Sequence, residues 1–96
     1  MFLIDVTYKV ELEKIDQFLK VHIAFLDEQY ALGNFLASGR KVPRTGGMIL
    51  ANMEDQTALE SIIEKDPFKQ NGLADYKLIQ FSLNKACEEL TFLIGK

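Results

Sequence analysis

Residues 2–33 have the sequence FLIDVTYKVELEKIDQFLKVHIAFLDEQYALG. Within this stretch the spacing of the apolar side chains changes from every second residue to every third or fourth residue. Every second residue from Phe2 to Tyr8 is apolar, which is typical of a strand with one apolar face. Further on, side chains of one stripe recur every three or four residues and predict a helix: Ile15, Phe18, Leu19, His22, Phe25, Leu26 and Tyr30. Gly33 is the expected end of this helix. A strand followed by an amphipathic helix therefore opens the fold.

The chain beyond this unit predicts a hairpin, a second helix and a last strand. Residues 34–41 and 48–53 are the two strands of the hairpin, and residues 42–47, with a proline and a glycine pair, are its turn. Asp55 is the expected N-cap of the second helix, which must stop near Lys65 because Pro67 follows. Residues 76–83 form the last strand. The predicted order is β-α-β-β-α-β.

This order predicts an α+β protein of the ferredoxin-like type, with a four-stranded antiparallel sheet and two helices on one face. The third and fourth strands are apolar on both sides, although the helices cover one face only. We therefore expect a homodimer in which the open sheet face packs on a second subunit. Residues 1–83 form the predicted domain. Residues 84–96 are an extension, as a short helix or an added strand, that packs on the domain or on the other subunit.

Composition excludes several classes of protein. The 96 residues hold 11 basic and 14 acidic groups, and their densest basic stretch is only Arg40, Lys41 and Arg44, which argues against nucleic-acid binding. No apolar run approaches the length of a membrane span. A lone cysteine, Cys87, gives no disulfide framework, so we expect a cytoplasmic protein. One histidine and one cysteine predict no metal site, and no glycine-rich loop predicts a cofactor.

Two features carry most of the possible chemistry. His22 lies on the apolar stripe of the first helix, where it is either a half-buried structural imidazole bonded to a backbone carbonyl or a functional group. Asp66 precedes Pro67 and Phe68, so it is either the cap of that turn or a partner for another side chain. Local sequence alone leaves both alternatives open and slightly favours the structural ones.

Three phrases in the chain resemble the YCII-related (YciI-like) family. They are His22 in the first helix, the segment 33–39 (GNFLASG) at the second strand, and Asp66-Pro67-Phe68 followed by Gly72-Leu73. The resemblance covers about residues 2–83. The chain departs from the family pattern at Arg40, where many relatives carry proline, and in the tail after Leu83, and both departures bear on substrate identity.

The resemblance implies a dimeric ferredoxin-like α/β barrel with a His–Asp dyad in a pocket. His22 and Asp66 match the dyad, and Ser38 and Gly39 match residues that line the site. Most members have no assigned reaction, one branch dehydrochlorinates a chlorinated hydroxyhydroquinone, and muconolactone isomerases share the wider fold.

Beside these positions, Arg40 is a candidate for holding an anionic substrate, more so than Arg44, and Phe68, Phe25 and Tyr8 are candidates for an apolar pocket wall. The leading hypothesis is a lyase- or isomerase-like enzyme for a small anionic or aromatic substrate. In it, His22 takes a proton and Asp66 orients the imidazole, with no cofactor. The competing hypothesis is a non-enzymatic dimeric binding or accessory domain with a structural His–Asp pair. A cofactor-free oxygenase of the related barrel type is a third.

Overall fold

The computed structural model describes residues 1–95. It contains four strands, three helices and a C-terminal 3₁₀ helix, which follow one another as β1 (Phe2–Tyr8), α1 (Leu12–Ala31), β2 (Phe35–Arg40), β3 (Gly46–Ala51), α2 (Gln56–Ile63), α3 (Pro67–Gln70), β4 (Ala74–Gln80) and the 3₁₀ helix (Glu88–Leu93). α1 ends at Ala31, and Gly33 follows with a φ of 78°, a left-handed conformation that glycine tolerates best.

The sheet has the strand order β2-β3-β1-β4, and each pair of neighbouring strands is antiparallel. This is the order of a ferredoxin-like fold, so the predicted fold class is confirmed. Register places Ile4 of β1 beside Ile49 of β3 and Leu78 of β4 on one face. Phe25 of α1 and Leu59 of α2 pack with these strands in the main hydrophobic core. α1 and α2 therefore share one face of the sheet, as predicted.

The second helix begins as its sequence predicts. The Asp55 side chain accepts hydrogen bonds from the backbone N–H groups of Thr57 and Ala58, two donors that have no partner within the helix. The helix ends at Ile63, two residues before the predicted limit. After it the chain forms a third, short helix, α3, where the sequence suggested a turn.

Strand β3 starts at Gly46, inside the predicted turn, because the two glycines allow close contact between backbones. A Cβ on Gly46 would lie 1.8 Å from the carbonyl oxygen of Val6, and one on Gly47 would lie 2.9 Å from that of Gly39. The glycine pair therefore belongs to the sheet, where it permits both neighbouring strands to approach. β4 likewise lies earlier than predicted, at residues 74–80, since its pairing with β1 ends at Phe2.

A second, smaller cluster holds α3 against α1. Phe68 of α3 and Ile15 of α1 are buried together with Leu73, and Tyr8 and Leu19 pack against them. This cluster fixes the position of the short helix, which has too few residues to be stable alone.

The tail forms the 3₁₀ helix, so of the two predicted alternatives the structure shows a short helix. Leu93 is buried, whereas Phe92 of the same turn is 66% exposed. Lys96, the end of the predicted extension, lies outside the described residues. Within residues 1–95, no helix is both long and apolar enough to cross a bilayer.

Candidate functional site

Asp66 is a fully buried carboxylate at the start of α3. It is the N-cap of this helix, and its Oδ1 accepts a hydrogen bond from the backbone N–H of Phe68 at 3.0 Å. Pro67 occupies the first helical position, where its missing N–H costs nothing and its fixed φ suits the helix. The structural interpretation of Asp66 as a cap is thus correct, and it accounts for only part of the contacts that this side chain makes.

His22 of α1 reaches the same carboxylate oxygen from a position 44 residues earlier in the chain. Its Nδ1 lies 2.8 Å from Asp66 Oδ1. An ionised carboxylate can only accept, so the imidazole carries a proton on Nδ1 and donates it. Among residues 1–95, Nε2 has no hydrogen-bond partner, and this nitrogen remains available to act as a base. The two residues that the sequence singled out are therefore brought together.

Tyr76 of β4 completes the surroundings of Asp66, a role that the sequence analysis did not predict. Its hydroxyl donates to Asp66 Oδ2 at 2.5 Å. Burial raises the pKa of Tyr76, and the nearby charge of Asp66 raises it further, so the phenol stays protonated and donates. One signal was present: Tyr76 pairs with Val6 on the helix-covered face of the sheet, and a buried phenol needs a hydrogen-bond partner.

The plane of the imidazole is fixed by an aromatic neighbour. The rings of His22 and Phe68 are stacked, with centroids 3.9 Å apart and an angle of 4° between their planes. Tyr8 packs against Phe68 in a T-shaped arrangement, with the two ring centroids 5.9 Å apart. Because Phe68 also donates its backbone N–H to Asp66, one residue orients both members of the His–Asp pair.

A cavity of about 290 Å³ opens beside His22, between α1 and the sheet. Its lining includes several residues named from the sequence as candidates for the site: His22, Ser38, Gly39, Arg40, Arg44 and Phe68. Asp66, another candidate, lies behind His22 and does not reach the cavity. Tyr8 contributes to the wall as expected, but Phe25 does not, because its side chain is buried in the main core. The cavity is large enough for a small ring compound and has both apolar and polar walls.

The two arginines at the cavity differ in their partners. Arg44 Nη2 donates to Asp16 Oδ1 of α1 at 2.6 Å, and this hydrogen bond raises the pKa of Arg44. Arg40 has no carboxylate within 4.0 Å among residues 1–95, so its charge is uncompensated there. Ser38 is held by a hydrogen bond of 2.5 Å between its Oγ and the hydroxyl of Tyr30.

The described residues, 1–95, contain no group of three histidine, cysteine or carboxylate side chains arranged to hold a metal ion. The polar groups that line the cavity include the imidazole of His22, which is paired with Asp66, and the guanidinium of Arg40.

The family model of the YCII-related domain matches residues 1–82. The chain belongs to the YCII-related family. Among solved structures, this YCII-related domain is similar to 5-chloro-2-hydroxyhydroquinone dehydrochlorinase (TftG) from Burkholderia phenoliruptrix AC1100, in complex with 2,5-dihydroxybenzoquinone. The TM-score is 0.74 and the identity 20%, over 85% of this chain and 93% of the other. At this identity the likeness shows the fold. No curated protein matches the sequence significantly.

Proposed function

We propose that this YCII-related domain is a small-molecule enzyme in which His22 takes a proton from the substrate. The observation that carries the proposal is the hydrogen bond of 2.8 Å between His22 Nδ1 and the buried Asp66, which leaves Nε2 as the basic atom of an imidazole that lines a cavity. Asp66 orients this base and stabilises the imidazolium that forms when Nε2 accepts a proton. A base placed in this way typically accelerates a reaction by about 10²–10⁴-fold.

Four residues of the cavity are proposed to bind the substrate. The Arg40 guanidinium offers charge-assisted hydrogen bonds to an anionic oxygen, and Phe68, which stacks on His22, adds an apolar side chain to the cavity wall. Ser38 and Gly39 of β2 lie beside them in the cavity wall. The similar dehydrochlorinase binds 2,5-dihydroxybenzoquinone, a small ring with acidic oxygens, which is the kind of ligand that such a wall suits.

The proposed reaction class is elimination or isomerisation that begins with deprotonation. In a dehydrochlorination, a proton passes to His22 Nε2, the electron pair it leaves behind moves into the substrate, and chloride departs with the electrons of the C–Cl bond. Proton and chloride together are lost as HCl, so this step requires no external oxidant or reductant.

The protein is further proposed to be a cytoplasmic homodimer built from domain 1–83. Leu3, Leu50 and Ile79 form a row across the sheet face that lies away from α1 and α2, and Ile79 is 41% exposed. Burying such a row against a second copy is favourable at roughly 25 cal/mol per Å² of apolar surface. The mass in solution tests this, and a stable monomer at micromolar concentration would contradict it.

The direct test of activity measures chloride release from 5-chloro-2-hydroxyhydroquinone, and product formation from a panel of related hydroxylated rings. With a substrate that is turned over, His22→Gln should lose about 10²–10⁴-fold in rate. Lys20→Gln, on an exposed position of the same helix, is the matched control and should retain the wild-type rate. Unchanged turnover by a folded His22→Gln protein would refute the role of His22.

A binding or accessory domain is the second candidate, and one observation favours it. Asp66 is fully buried and caps α3, so the pair with His22 also stabilises the fold. In that case His22→Gln lowers the unfolding temperature, no compound of the panel is turned over, and 2,5-dihydroxybenzoquinone does not shift the unfolding temperature of the wild type.

A further inference from the structure

The two oxygens of Asp66 have different partners. Oδ1 accepts from His22 Nδ1 and from the Phe68 backbone, whereas Oδ2, within residues 1–95, accepts from the Tyr76 hydroxyl alone. Three elements thus meet at one buried carboxylate: α1 through His22, α3 through its own cap and β4 through Tyr76. A carboxylate in a low-dielectric site stays ionised only when such donors stabilise it.

Tyr76 is held firmly in place for this contact. It lies in the middle of β4, paired with Val6 of the central strand β1. The Lys69 ammonium lies 5.8 Å from the centre of its ring, and both residues line a second depression together with Glu60 and Glu64. Tyr76 thus reaches Asp66 from β4, and it is not among the residues that line the His22 cavity.

We propose that Tyr76 is a positioning residue for His22. By donating to Oδ2 it prevents the carboxylate from turning about its Cβ–Cγ bond, so that Oδ1 stays directed at His22 Nδ1. This arrangement retains the tautomer in which Nδ1 carries the proton and Nε2 is the base. The inference rests on the proposed function for its kinetic consequence, whereas its effect on the tautomer is independent of any substrate.

The test uses Tyr76→Phe, which removes only the hydroxyl. Because His22 is the only histidine in the sequence, the ring nitrogens of the ¹⁵N-labelled protein give one unambiguous set of imidazole signals. In the wild type we expect the Nδ1–H tautomer of the neutral ring. In Tyr76→Phe we expect a measurable population of the Nε2–H tautomer and a shift of the downfield N–H proton. Ring signals identical to those of the wild type would overturn the proposal.

Two control variants separate positioning from a general effect on structure. Tyr30→Phe removes another hydrogen-bonded phenol that has no contact with Asp66, so the His22 signals should not move. In an Asp66→Asn background the amide holds no negative charge for Tyr76 to stabilise, so adding Tyr76→Phe should change the tautomer much less than it does in the wild type. Equal changes in both backgrounds would show that Tyr76 does not act through Asp66.

Kinetics supply the last readout. Where a substrate is turned over, Tyr76→Phe should lower kcat by about 10–100-fold, as found for groups that orient metal-binding histidines, with KM changed less than about twofold. An unchanged kcat would overturn the kinetic part, and absence of turnover by the wild type would count against the proposed function and leave the tautomer test standing.

If Tyr76→Phe does not fold, 3-fluorotyrosine is incorporated instead into a Tyr8→Phe, Tyr30→Phe protein, in which position 76 is the only tyrosine. The downfield proton of His22 should then move, and a fixed resonance would overturn the proposal.

Discussion

Replacing Asp66 by asparagine and by alanine should have very different effects on stability. In Asp66→Asn, Oδ1 still accepts from His22 and Phe68, and the new Nδ2 takes the place of Oδ2 and donates to the Tyr76 oxygen. Of the three donors to this side chain, only the Tyr76 O–H loses its acceptor. Hydrogen bonds to a charged group are worth about 1.5–3 kcal/mol and neutral ones about 0.5–1.5 kcal/mol, but the variant no longer buries a charge. We therefore expect a loss of about 1–2 kcal/mol.

In Asp66→Ala the same three donors have no acceptor. Each unsatisfied buried donor costs about 1–3 kcal/mol, so the loss is at least about 3 kcal/mol, a large part of the roughly 5–15 kcal/mol that stabilises a domain. Urea unfolding, followed by far-ultraviolet circular dichroism, measures both variants. Asp55→Ala is the matched control, since it removes an exposed helix cap and should cost only about 1 kcal/mol. Equal losses in Asp66→Ala and Asp55→Ala would refute the view that Asp66 is a buried centre of hydrogen bonding.

Three further changes have definite outcomes. The pKa of Tyr76 is raised in the folded protein, whereas a tyrosine of the unfolded chain has a pKa of about 10, so the stabilisation is fully present below pH 10. Above that pH the unfolded chain loses a proton that the folded protein keeps, and the free energy of unfolding should fall by up to about 1.4 kcal/mol per pH unit. Urea midpoints should show that Tyr76→Phe lacks this part of the decline. Gly46→Ala should cost at least about 2 kcal/mol, because its Cβ would overlap the Val6 carbonyl, whereas Gly39→Ala, with open space around it, should be tolerated in the same unfolding assay. Arg40→Gln should weaken binding of 2,5-dihydroxybenzoquinone about tenfold by calorimetry, and an unchanged affinity would exclude Arg40 from the site.

The fold follows closely from local patterns in the sequence. Alternation in residues 2–8 and the helical stripe that begins at Ile15 act over short distances, and the N-cap at Asp55 depends only on the next three residues. The same local patterns predict a turn for the glycine pair, whereas the structure places Gly46 and Gly47 in β3. Glycine favours turns when judged from its neighbours in sequence, and the carbonyl of Val6 that requires Gly46 lies on another strand.

The candidate site was harder to predict, because its members are distant in sequence. Nothing local connects His22 with Asp66, and each has a sound structural role of its own, so the pairing rested on the family resemblance. Both roles coexist in the structure: Asp66 caps α3 with the same oxygen that accepts from His22. Tyr76 was missed because an isolated tyrosine in a strand gives no sign of its partner. Its contact depends on where α3 packs against α1, which only the tertiary structure determines.

The most direct test of the proposed role of His22 is a ¹⁵N spectrum of its ring in the wild-type protein, recorded at a pH where the ring is neutral. We predict a proton on Nδ1, donated to Asp66, and an unprotonated Nε2 facing the cavity. A neutral ring that carries its proton on Nε2 would contradict it, because His22 would then have no basic nitrogen directed at a substrate.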